Sequence, residues 1–249
     1  MSVKPAFVLV AALLCSCSVW QDREGCPCWL DLAVQGGAES IAEVRLFNTR
    51  ASACSVQLED SRYDGQIVIP RESCRMAVYS GQHEDLLRDG ILTIPDGGQM
   101  DEIYAGAADV LAEGESASAE VRLHKQYAAL HLTFVSADRK PYPYEVCLKG
   151  NVSGLDLHTL EPVQGSFRYH VEAVLGTYYR ICLPRQVDDS LTVEIDSHPV
   201  PLGRKIREAG YDWTSEDLDD IYMELDCALA SVSLRIVPWT EEVLERLVI

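Results

Sequence analysis

Residues 30–34 read Leu-Asp-Leu-Ala-Val, and residues 54–59 read Cys-Ser-Val-Gln-Leu-Glu. In both, an apolar side chain returns at every second position. That period puts one set of side chains on a single face of a β-strand, whereas a helix needs a spacing of three to four. The rhythm continues outward. Val44 and Leu46 alternate with Glu43 and Arg45, and Ile67 and Ile69 follow a Tyr63-Asp64-Gly65 turn. Cys74, Met76 and Val78 come next, then Ile91 to Ile94 between Asp89-Gly90 and Pro95-Asp96-Gly97-Gly98. The runs are short, with turn residues roughly every 8–12 positions, the spacing of an all-β sandwich rather than of a parallel α/β sheet.

Residues 111–120, Leu-Ala-Glu-Gly-Glu-Ser-Ala-Ser-Ala-Glu, lack apolar periodicity and read as a linker or long loop. Strand patterns then restart. They run through Val121 and Leu123, Leu130 to Phe134, Tyr144 to Leu148, Phe167 to Val171, Tyr179 to Leu183, Leu191 to Ile195, Ile221 to Leu225 and Val232 to Ile236. The expectation is two tandem β-sandwiches, over residues 26–119 and 120–249, with one continuous all-β domain as the alternative. Residues 125–130 read as a single helical turn at most. Residues 240–247 begin with an N-cap threonine and two acids, and fit either a helix or a free apolar strand.

The N-terminus decides the compartment. Lys4 is the only charge in residues 1–16, and Ala6 to Leu14 is an apolar run of nine. Nine residues are too few to span about 30 Å of hydrocarbon, but they suit a secretory signal peptide. Leu14 stands three residues before Cys17 and Ser16 immediately before it, the pattern of a bacterial lipobox. Residues 1–16 are therefore read as a signal peptide, Cys17 as the lipidated (palmitoylated) residue, and 17–25 as a polar tether. A signal peptide with incidental cysteines is the alternative. Ser18, rather than Asp, follows the acceptor, which favours the outer membrane.

Lys and Arg number 21 against 39 Asp and Glu, a net charge of −18. Such a polyanion gains nothing from counterion release, so nucleic acid is excluded as a partner. Beyond Cys17 the chain carries Cys26, Cys28, Cys54, Cys74, Cys147, Cys182 and Cys227. Cys54 and Cys74 lie on the apolar phases of their strands and are the candidate disulfide pair. Cys26-Pro27-Cys28 is too tight for a redox or zinc pair.

No GxSxG, GxGxxG, P-loop or HExxH is present. Gly150-Asn151-Val152-Ser153-Gly154 reads as a β-turn, and His131 and His170 as solvated residues on polar strand faces. Glu216, Asp217, Asp219 and Asp220 lack calcium-loop spacing and read as a solvated loop. No catalytic residue, metal site or cofactor is expected.

Several segments together resemble the fimbrillin-associated anchor lipoproteins of Bacteroidota fimbriae, the FimB/Mfa-type family. They are the lipobox followed by Cys26-Pro27; Asp101-Glu102-Ile103-Tyr104-Ala105-Gly106; Val121 to Leu130; Gly210-Tyr211-Asp212-Trp213; Leu218-Asp219-Asp220-Ile221; and Ile236-Val237-Pro238-Trp239. The resemblance implies two transthyretin-like β-sandwiches and a place at the fimbrial base. It also implies fimbrial subunits as partners, joined by β-strand exchange, and an outer membrane reached through the lipid. The expected function is a structural lipoprotein that anchors a fimbrium and limits its length. A surface glycan-binding or nutrient-uptake lipoprotein is the alternative.

Overall fold

The computed structural model describes residues 27–37, 41–47, 54–81, 87–135, 145–171, 178–195, 198–226 and 231–239. Cys17 and the last ten residues lie outside them. The chain is nearly all β. Its strands are β1 (Cys28–Gly36), β2 (Ala42–Phe47), β3 (Cys54–Leu58), β4 (Asp64–Ile69), β5 (Cys74–Ser80), β6 (Leu87–Arg88), β7 (Ile91–Thr93), β8 (Tyr104–Val110), β9 (Ser116–Lys125), β10 (Tyr127–Val135), β11 (Val146–Asp156), β12 (Glu161–His170), β13 (Tyr178–Pro184), β14 (Thr192–Ile195), β15 (His198–Val200), β16 (Asp220–Asp226) and β17 (Ser231–Val237). One short helix, α1 (Leu202–Glu208), stands between β15 and β16.

The first sheet has the order β3-β2-β5-β8-β9-β1-β4, antiparallel except where β1 runs parallel to β9. Alternation explains its inner face. Cys28, Leu30, Leu32 and Val34 of β1 are buried, and so are Ala42, Val44 and Leu46 of β2. β9 is long enough to turn a corner: residues 116–123 pair with β1, while Lys125 and His124 pair with Tyr104 and Ala105 of β8. Strands on the two sides of that corner fill a single core.

The second core lies between a four-stranded sheet, β13-β10-β16-β17, and a six-stranded one, β15-β14-β11-β7-β6, with β12 added on β11. β6 and β7 come from the first half of the chain. Asp89 and Gly90 join them with φ of 50° and 80°, the left-handed pair that a tight hairpin requires. β7 then pairs Ile91–Thr93 with Asp156–Gly154 of β11 and stitches the two halves together.

The structure corrects three local expectations. Residues 116–120 are the first half of β9, with Ala117 and Ala119 packed on the core, so only 111–115 form the connecting loop. Gly150 to Gly154 lie inside β11, where its register to β12 slips, and do not form a turn. Residues 125–130 are strand on either side of a break at Gln126. Tyr127 and Ala129 face the first core while Ala128 and Leu130 face the second, so the lack of alternation reflects burial on both faces, not a helix.

Candidate functional site

The last residue of β9 is Lys125, on the same phase as the buried Val121 and Leu123. Its side chain is 2% exposed. A buried ammonium is costly unless charge and hydrogen bonds compensate it. Here Nζ donates to the Leu218 carbonyl at 2.9 Å and to Asp220 Oδ1 at 2.5 Å, and lies 4.7 Å from the centre of the Tyr127 ring. The Ala129 amide also donates to Asp220 Oδ1. Burial opposes the charge on Asp220, but His131, Lys125 and the Ala129 amide outweigh it and hold the carboxyl below its ordinary range.

The segment before β16 is strapped to the same point. The Lys125 amide donates to Asp217 Oδ1 at 2.7 Å, and the Leu218 amide to the Lys125 carbonyl at 3.1 Å. Tyr211 Oη donates to the Asp219 carbonyl, and the Trp239 amide to Asp219 Oδ1. The guanidinium of Arg185 donates to the carbonyls of Trp213, Ser215 and Glu216 and to Gln126 Oε1. On the far side of Tyr127, its hydroxyl donates to Glu102, which also pairs with Arg180. Trp239 leaves the second sheet and packs on the first core, with its ring 6.1 Å from that of Tyr104.

Five of the segments that carry the family resemblance therefore meet at one joint between the two cores. The acidic run at 216–220 is not simply a solvated loop, because Asp217, Asp219 and Asp220 each hold a partner in the joint. His131 is not solvated either. Its side chain is 13% exposed, stacked at 4.2 Å on Tyr222 and bonded through Nδ1 to Tyr178 Oη. Sequence reading missed Lys125. The available signal was a charge on the inward phase of an apolar strand.

Burial pushes the Cys182 thiol up to about 12, so it is not a thiolate at neutral pH. Burial, then the nearby Tyr104 and Glu102, likewise keep the Tyr127 phenol protonated. Among the described residues no group of three His, Cys, Asp or Glu could hold a metal ion.

The register does not bring the candidate disulfide pair together. β2 lies between β3 and β5, with Leu46 opposite Cys54 on one side and Met76 on the other. Two strand spacings, with Cys74 a further two residues along β5 from Met76, put the backbones of Cys54 and Cys74 more than roughly 9–10 Å apart, beyond the reach of a disulfide.

No family model matches the sequence, and no curated protein matches it. Solved structures do match. The fimbrial anchor protein Mfa2 from Porphyromonas gingivalis superposes with a TM-score of 0.52 at 12% identity, covering 86% of this chain and 98% of its own. The chain shares the fold of a fimbrial anchor protein. A candidate cell adhesion protein from Bacteroides uniformis matches with a TM-score of 0.53 at 10% identity, over 86% and 99% of the two chains. A candidate polysaccharide-binding protein from Bacteroides thetaiotaomicron matches with a TM-score of 0.52 at 12% identity, over 87% and 99%. At such identities the likeness is one of fold.

Proposed function

We propose that this protein is a non-catalytic, lipid-anchored outer-membrane protein that holds a fimbrium to the cell surface and limits its length. The observation that carries the reading is the match to the Mfa2 fold over nearly the whole of both chains. The lipobox at Leu14 to Cys17 supports it independently. An anchor needs a tether and a rigid body. Cys17 supplies the first, and the Lys125–Asp220 joint supplies the second by fixing one core against the other.

Fimbrial subunits are the proposed partners, engaged by strand exchange. Sheet edges are present for it: among the described residues β17 pairs only with β16, and β3 and β4 close the two ends of the first sheet. A donated strand would satisfy the unpaired backbone groups of such an edge.

Complementing a deletion strain with the Cys17→Ala form tests the reading. That form should accumulate as an unprocessed or soluble protein and should fail to keep fimbriae on cells. Full retention by Cys17→Ala would overturn it. Glycan binding is the second reading. It draws on the third fold neighbour and on a cleft of about 500 Å³ beside the joint, whose lining includes His124, Thr159, Arg185, Trp213 and Glu216.

A further inference from the structure

Among the described residues five large apolar side chains stand exposed: Trp29, Ile41, Val68, Leu111 and Val187. Three of them share one end of the first sheet. Trp29 (51% exposed) and Val68 (45%) lie directly opposite each other on β1 and β4. They face away from the core, because their neighbours Leu30, Ile67 and Ile69 point into it. Leu111 (75% exposed) follows β8 at the same end. The Trp29 amide donates to the Glu115 carbonyl at 2.9 Å, and Arg71 Nε to the Gly114 carbonyl at 2.7 Å. Those bonds tie the connection that carries Leu111 to the strand ends that carry the other two. Ile41 lies at the opposite end, where β2 begins.

This is also the end at which the chain enters the fold. Cys28 is the first residue of β1, and β1 runs away from it. Twelve residue steps separate Trp29 from Cys17, a reach of no more than about 40 Å even when fully extended. The end bearing Trp29 is therefore the one joined to the lipid by the shortest stretch of chain.

We propose that Trp29, Val68 and Leu111 form a membrane-contact patch, seated at the boundary between headgroups and acyl chains of the bilayer that holds the anchor. The inference rests on the lipid-anchor reading. An indole suits that boundary because it has an apolar body and one N–H that can meet headgroups or water. Val68 and Leu111 add aliphatic area. The polyanionic surface gives the patch no electrostatic help against anionic lipid, so it works only as a second signal beside the covalent chains. Its consequence is orientation. The first sheet would stand on the bilayer with β1 rising from it.

The test uses the mature full-length lipoprotein in phosphatidylethanolamine/phosphatidylglycerol vesicles whose acyl chains carry bromine, a contact quencher of indole emission. Wild type and Trp29→Phe are compared, so that the difference spectrum reports Trp29. The exposed position of this ring makes the phenylalanine variant a mild change, and circular dichroism confirms its fold. The expected result is a blue-shifted Trp29 emission that bromine quenches and aqueous iodide does not. Leu111→Ser should weaken the quenching. Mass spectrometry of the same sample reads the acyl chains separately. Acylated protein whose Trp29 stays open to iodide overturns the patch and leaves the anchor reading intact. Protein without acyl chains overturns the anchor reading and this inference with it. A Trp29 shielded from iodide only when fimbrial subunits are added assigns the patch to a protein partner, which also overturns the proposal.

Discussion

At the scale of single residues, Lys125 and Asp220 make the sharpest commitment. Removing one member of a buried pair strands the charge of the other, at a cost of about 3–5 kcal/mol. Asp220→Ala should therefore lower unfolding free energy by about that amount in urea titrations, and adding Lys125→Met to it, which removes the stranded ammonium, should recover part of the loss. The pH dependence has a definite sign. The Asp220 carboxyl sits below its ordinary range in the folded state, so the unfolded chain binds the extra proton as pH falls. Its contribution is full above the unfolded value of about 3.9 and is lost as pH drops through the lower folded value. Asp220→Asn should flatten the stability profile in that acid window, and an unchanged profile would contradict the assignment. These residues were only partly legible in the sequence. Lys125 stood out as a charge on the inward phase of an apolar strand, but Asp220 and His131 looked like ordinary surface groups. Their partners lie some ninety residues away or across a strand, at distances in sequence that periodicity does not register.

At the scale of elements, period two located the strands well, because one buried face suffices to impose it. It failed where a strand was buried on both faces or carried small polar residues. Tyr127 to Leu130 lost the alternation by sitting between two cores, and Ser116 to Glu120 hid a strand behind Ser, Ala and Glu. β9 runs through residues 119 and 120, where composition placed a domain boundary. The amides of Ser116 to Lys125 that bond to β1 or β8 should exchange slowly with deuterium. Rapid exchange over 116–120 would restore the linker reading. Gly106 belongs to the same corner. A Cβ there would stand 2.1 Å from the Arg122 carbonyl oxygen, so β8 can meet β9 only with glycine at this position. Gly106→Ala should destabilise the protein by about 1–3 kcal/mol or more, measured by thermal or urea unfolding. A neutral result would mean that the two strands separate easily.

At the scale of the whole molecule, the sequence made the all-β class and the segments of the joint legible, but not how those segments meet. The motifs at 101–106, 121–130, 210–213, 218–221 and 236–239 were separate weak signals along the chain. In the structure they form one clasp that holds two cores in a fixed relation, as a body transmitting force from a filament to a tether would require. The central claim is that this body retains fimbriae on the cell, and the partition of fimbrial subunit protein between cells and medium tests it most directly. In a strain lacking this gene, fimbriae should still polymerise but should appear mainly in the medium, with altered length, and the wild-type gene should return them to cells. Normal cell-bound fimbriae in the deletion strain, or a defect confined to glycan uptake, would contradict the account.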